Sequence, residues 1–128
     1  MIPSPPSAGR RIFATLPWKG AVLRDARLDR RGSPHFDEVT LSVVWPGGQH
    51  GIVSFRDCWA FQGRMGLGAG APEPIRGAWA SAAGRPRRPW AALSTPPEGL
   101  VAFTVDLASG GRLRIYAREW AARALGPR

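Results

Sequence analysis

Several residue types that carry chemistry are nearly missing from this chain. Its 128 residues include one cysteine, Cys58, and two histidines, His35 and His50. One cysteine excludes an intrachain disulfide and suits a reducing, cytoplasmic setting. Asparagine is absent, Lys19 is the only lysine and Tyr116 the only tyrosine. No apolar run reaches the roughly 20 residues of a membrane-spanning helix. The N-terminal MIPSPPSAGRR carries prolines where a secretory signal needs an apolar helical stretch. The expectation is therefore a cytoplasmic protein with no membrane attachment. Two His and one Cys do not supply the three or four spaced ligands of a metal site. Gly66-Leu67-Gly68-Ala69-Gly70 resembles a phosphate loop, but Ala71-Pro72-Glu73-Pro74 follows where Lys-Ser/Thr is required, and Glu73 would repel phosphate. Neither a metal nor a cofactor is expected.

Positive charge is what the chain has in excess. Eighteen basic residues against nine acidic ones give a formal charge of +9 and a pI near 11.6. That balance favours an acidic protein surface or a polyanion as partner. All the basic residues but Lys19 are arginine, and Ala, Gly and Pro are abundant. This looks like the codon bias of a GC-rich genome, which would account for part of the charge without a function. At 44% hydrophobic, the chain has enough apolar residues for one globular core.

The periodicity predicts an α+β, mostly β domain: an antiparallel sheet of about five to six strands built around two hairpins, with one or two short helices. Val39, Leu41, Val43 and Trp45 alternate with polar or smaller neighbours, Pro46-Gly47-Gly48 turns the chain, and Val53, Phe55, Trp59 and Phe61 resume the period of two. Asp57 intrudes on that apolar face, as a salt-bridge partner or a β-bulge. The second hairpin runs from Leu100 through Ser109-Gly110-Gly111 to Ala117. Residues 12–18 read as a short edge strand and 21–29 as a further strand. Residues 1–10 form a flexible arm, and 11–125 a single β-rich domain. Within it, 63–99 is a Gly/Pro/Ala-rich inserted loop with one short helix over 74–83, where Pro74 suits a first turn and Ile75 and Trp79 share a face. Residues 119–125 suit a final helical turn.

The candidate site is the outer face of the last strand. With Leu113, Ile115 and Ala117 inward, the other side presents Arg112, Arg114, Tyr116, Arg118 and Trp120. Arg, Tyr and Trp are the favoured anchors of protein interfaces, and the same set can contact phosphates and stack on bases. The simpler reading is a solvated strand face with arginine stems laid over apolar neighbours. Arg85, Arg87 and Arg88, held between Pro86 and Pro89, make a second basic cluster in a loop. Of the tryptophans, Trp45 and Trp59 are expected in the core, while Trp79 and Trp90 pin the inserted segment or anchor a partner. His50 and Cys58 are eight residues apart along an extended strand, at about 3.3 Å per residue, so they cannot act as a catalytic pair. Cys58 is expected as a small, half-buried packing residue facing away from Phe55 and Trp59. No catalytic residue is expected.

A strand with Leu41 and Val43, a second with Phe55-Arg56-Asp57 and a following aromatic, and a terminal Gly110-Gly111-x-Leu113-x-Ile115 hairpin together resemble the small β-rich immunity proteins of bacterial polymorphic-toxin systems, over roughly residues 16–120. The resemblance implies a non-enzymatic protein-binding module that neutralises a toxin. The acidic character usual in that family is replaced here by a basic one. The alternatives are a nucleic-acid binder using the basic/aromatic strand face, and a small-ligand-binding or enzymatic β domain with its pocket between the sheet and residues 63–99.

Overall fold

The strands predicted from alternation are present, and the sheet they build closes on itself. A computed structural model describes residues 12–29, 37–64, 72–82 and 99–126. They form eight strands: β1 (Val22–Asp29), β2 (Glu38–Val44), β3 (His50–Arg56), β4 (Ala60–Arg64), β5 (Glu73–Ala82), β6 (Val101–Leu107), β7 (Arg112–Ala117) and β8 (Glu119–Gly126). Every pairing is antiparallel, in the order β4-β7-β6-β5-β1-β2-β3-β8. The domain is thus mostly β, as expected, but has more strands than the five to six read from the sequence.

The two ends of that order are not free edges. β4 continues β3 after a three-residue bend, and β8 continues β7 after Arg118. The pairs Gln62↔Arg114 and Ala60↔Tyr116 are followed by Arg56↔Glu119 and Ser54↔Ala121, the same ladder displaced by one residue. Two hydrogen bonds carry it through the bend: Trp59 N–H donates to Tyr116 O at 2.8 Å and Arg118 N–H to Arg56 O at 3.2 Å. Two long bent strands therefore pair along their whole length and close the sheet into a barrel, with the corners at Asp57–Trp59 and Arg118. Asp57, the one described non-glycine residue with positive φ (54°), makes the first corner. It acts as the irregularity that its polar intrusion suggested.

Inside the ring lie Leu23, Val39, Leu41, Val43, Val53, Phe55, Ile75, Phe103, Val105, Leu113 and Ile115, all at most 2% exposed. The corners change which residues join them. Trp59, expected in the core, packs outside the barrel with Leu100, Ala102 and Tyr116, because the left-handed turn at Asp57 rotates the chain after Phe55. Cys58 is instead the residue that turns inward, more deeply buried than expected. Trp45 is half-buried, its ring 5.1 Å from that of Trp18.

Three local expectations were wrong, two of them because tertiary pairing overrides local propensity. Residues 12–15 form a helical turn rather than an edge strand, with Thr15 Oγ1 donating to Ile12 O at 2.7 Å and the Trp18 indole donating to Phe13 O at 2.7 Å. The turn drives Phe13 and Trp18 into the barrel interior. The helix expected over 74–83 is, through residue 82, part of strand β5, hydrogen-bonded to β6 from Ile75 to Ala82, and residue 83 lies outside the described residues. Residues 119–125 were read as a helical turn and are strand β8, paired with β3.

Gly51 shows how closely this interior is filled. A Cβ there would run into the Trp45 indole nitrogen, with the indole Cδ1 only 3.1 Å away. Because that indole is wedged against Trp18, Gly51→Ala is expected to destabilise the protein by about 1–3 kcal/mol. Urea denaturation of the two proteins reads this as a lower midpoint at unchanged slope.

Candidate functional site

The outer face of β4, β7, β6 and β5 carries the candidate site, and cross-strand register decides its content. Side chains directly opposite one another share a face. One row runs Gln62, Arg114, Thr104, Trp79; a second runs Ala60, Tyr116, Ala102, Ser81; a third contains Arg112 and Asp106 and ends at Gly77. β6 is buried on both sides, with Ala102, Thr104 and Asp106 at 8%, 2% and 8% exposure on the outer one. The face is therefore a filled platform with its functional groups on top.

Asp106 organises the charge. Its Oδ2 accepts from Arg76 Nε at 2.9 Å and lies 2.7 Å from Nη2, while Oδ1 accepts from Arg112 Nε at 3.4 Å. The Arg76 hydrogen bond, reinforced by the charges of Arg76 and Arg112, holds the Asp106 carboxyl below the usual carboxylate range against a smaller opposing effect of desolvation. Its ionic contribution is thus present at neutral pH and is lost only as acidification passes through that lowered value. The Arg112 guanidinium also lies over Trp79, 5.5 Å from the ring centroid, within cation–π range. One carboxylate and one indole hold two guanidinium groups in fixed positions. Arg114, next on the strand, is half-buried and has no hydrogen-bonding or ionic partner among the described residues.

This geometry sorts the residues nominated from the sequence. Arg112, Arg114 and Tyr116 do share the outer face, although Tyr116 is buried in the small cluster with Leu100, Ala102 and Trp59. Arg118 is exposed at the barrel corner, its N–H in the closing ladder. Trp120 does not belong with them. The one-residue shift at the corner reverses the alternation, so Trp120 lies opposite Phe55 and packs inward, 5.3 Å from the Phe13 ring. Arg85, Arg87 and Arg88, and with them Trp90 and His35, lie outside the described residues. The pocket imagined between the sheet and residues 63–99 rests largely on that same stretch. Arg76 and Asp106 were missed as site residues, and Trp79 was named only as a pin for the inserted segment or a partner anchor. A hairpin centred on Ser109 places Asp106 opposite Arg112 by simple counting, so that pair had a sequence signal; Arg76, and the place of Trp79 on this face, were hidden by reading β5 as helix.

The remaining reactive groups are apart. His50 starts β3 and its Nδ1 accepts from Arg24 Nη1 at 3.3 Å, while Cys58 lies past the strand's other end. The Cys58 thiol donates to Phe55 O at 3.1 Å and its pKa is pushed up to about 11, first by burial and then by Asp37, Glu38 and Asp57, against a backbone hydrogen bond at Val39 that lowers it. In the folded protein it is a thiol, not a nucleophilic thiolate. The unfolded chain releases this proton near pH 9 and the folded chain only near pH 11, so stability falls as pH rises through that window. Between those values wild type is expected to lose about 2–3 kcal/mol relative to Cys58→Ala, measured as the change in urea midpoint with pH for both proteins.

Comparison with family models, with curated proteins and with solved structures gives no match to this chain.

Proposed function

We propose that this protein is a non-enzymatic binding module that receives an acidic protein surface on the outer face of β4, β7, β6 and β5. The observation that carries this reading is the arrangement of guanidinium groups there: Arg76 and Arg112 fixed by Asp106 and Trp79, and Arg114 half-buried beside them with no described partner. Guanidinium groups held in place lose little freedom on binding, and Arg with an aromatic neighbour is a common hot-spot composition. The similarity in sequence pattern to toxin-immunity proteins makes a bacterial toxin encoded by the adjacent gene the first partner to test. One-to-one binding of that gene product, with loss of its toxicity, is the expected result. No binding and no neutralisation would remove the immunity reading.

Nucleic-acid binding is the second reading, and the placement of charge favours it. The residues whose side chains are described include nine basic and eight acidic ones, whereas the remainder of the sequence holds nine arginines and a single acid, Glu98. Nearly all the excess charge therefore belongs to residues other than those whose side chains are described. Mixed-sequence duplex DNA and single-stranded RNA are the probes. If either binds with an affinity that falls steeply as salt rises, and if Arg112→Ala, Arg114→Ala and Arg118→Ala together lower both affinity and slope, this reading replaces the first.

A further inference from the structure

The barrel has one incomplete seam, and its two sides are treated differently by the sequence. β1 and β5 pair only at Val22↔Pro74 and Leu23↔Glu73, with two more hydrogen bonds joining Gly20 and Ala21 to Ile75. Beyond these, β1 from Arg24 onward pairs only with β2, and β5 from Arg76 to Ala82 only with β6. Each strand thus presents one edge of backbone N–H and C=O groups with no strand beside it among the described residues. The β1 edge reads Arg24-Asp25-Ala26-Arg27-Leu28-Asp29, the alternating charge that blocks edge-to-edge pairing. The β5 edge reads Gly77-Ala78-Trp79-Ala80-Ser81-Ala82, with neither charge nor proline. Its side chains reach solvent: Trp79 is 39% exposed, Ser81 and Ala82 are exposed, and a Cβ built on Gly77 meets no atom within 4 Å.

We infer that β5 is a self-association strand and that its edge is occupied by β5 of a second copy, antiparallel about a two-fold axis at Trp79. The segment is self-complementary in that register. Trp79 faces Trp79, Ala78 faces Ala80, and Gly77 faces Ser81, so the only bulky pair is the aromatic one, which cross-strand geometry favours. The one charge, Arg76, lies opposite Ala82 of the second copy, and the two arginines stand about 20 Å apart along the paired strands, beyond the screening length at physiological salt. An acidic peptide would fit the edge less well, because the six residues after Arg76 carry no charge. The paired segment is short, well below the surface of a standard stable interface, so the dimer is weak and concentration-dependent. Each copy carries +9, so added salt tightens it, the reverse of an ionic interface.

Sedimentation of the full chain across the micromolar range tests this. The mass should rise from one chain towards two with concentration, and the rise should shift to lower concentration in higher salt. Ser81→Glu puts a carboxylate beside Arg76 of the second copy, at two symmetric places, and should tighten the dimer about 3- to 10-fold; Ser81→Lys should weaken it by a similar factor. Both substitutions are on an exposed residue, and retained far-UV dichroism confirms their fold. Within residues 77–82, the amides that point away from β6 should gain protection from hydrogen exchange only as concentration rises, while those bonded to β6 stay protected throughout. A chain that stays monomeric throughout, a dimer indifferent to both substitutions, or outward amides equally protected at the lowest concentration would each overturn the inference.

Discussion

Phe13→Ala is expected to cost about 3–5 kcal/mol. Phe13 belongs to no strand, yet it is 0% exposed, and its ring lies 5.1, 5.9, 5.0 and 5.3 Å from those of Trp18, Phe55, Phe103 and Trp120. It plugs the space between the bent strands. Removing the ring leaves a cavity lined by rigid aromatics, which collapse poorly, and it loses several edge-to-face contacts at once. The neighbouring Ile12, 49% exposed, is the internal control: Ile12→Ala should change stability by less than about 0.5 kcal/mol. Urea unfolding of the three proteins separates these outcomes. Equal effects would mean that the helical turn does not insert into the barrel.

Replacing Arg112 and Arg114 together with alanine is expected to weaken the protein partner's binding by about 30- to 1,000-fold, taking each as a hot spot worth about 1–2 kcal/mol. The loss should fall mainly on the dissociation rate, because these groups are fixed within the contact rather than steering from its rim. Stability should change little. Both side chains stand on the outer surface, and the Asp106 carboxylate left behind keeps its bond to Arg76. Asp106→Asn is the informative companion. It removes no guanidinium, but it weakens the ionic hold on Arg76 and Arg112, so it should lower affinity by a smaller factor than removal of the arginines themselves. Equal losses would assign Asp106 a direct contact with the partner.

What the sequence made legible depended on how far each strand carries its own evidence. β2, β3, β6 and β7 were readable because alternation and turn chemistry agree. Gly47, Gly48 and Gly110 stand at φ values of 98°, 93° and 95°, where only glycine is comfortable, and each hairpin register follows from its turn. β5 and β8 were not readable. Their runs of alanine carry no strand preference, and what makes them strands is hydrogen bonding to β6 and β3, which no local window contains. The corners were half legible. Asp57 signalled an irregularity, but only the paired register reveals that the irregularity turns Cys58 inward and Trp59 outward, and that its counterpart at Arg118 takes Trp120 away from the arginines and into the core. Of the five strand residues nominated, Arg112, Arg114 and Tyr116 share the outer face, Arg118 stands at the corner and Trp120 packs inward, and the residues that fix the arginines in place were not nominated with them.

The account rests on the outer face of β5, β6 and β7 as the place where a partner binds, and Trp79 is its built-in reporter. The most direct measurement is the shift of tryptophan indole N–H signals in a nuclear magnetic resonance titration with the adjacent gene's product, at fixed concentration of this protein. Trp79 lies under Arg112 on that face, whereas Trp18 is buried with its indole bonded to Phe13. The predicted result is a saturating shift of the Trp79 signal at one equivalent, with the Trp18 signal unmoved and the effect abolished by Arg112→Ala with Arg114→Ala. Binding that leaves the Trp79 signal in place would contradict the account, because the partner would then be held by some other surface of the barrel.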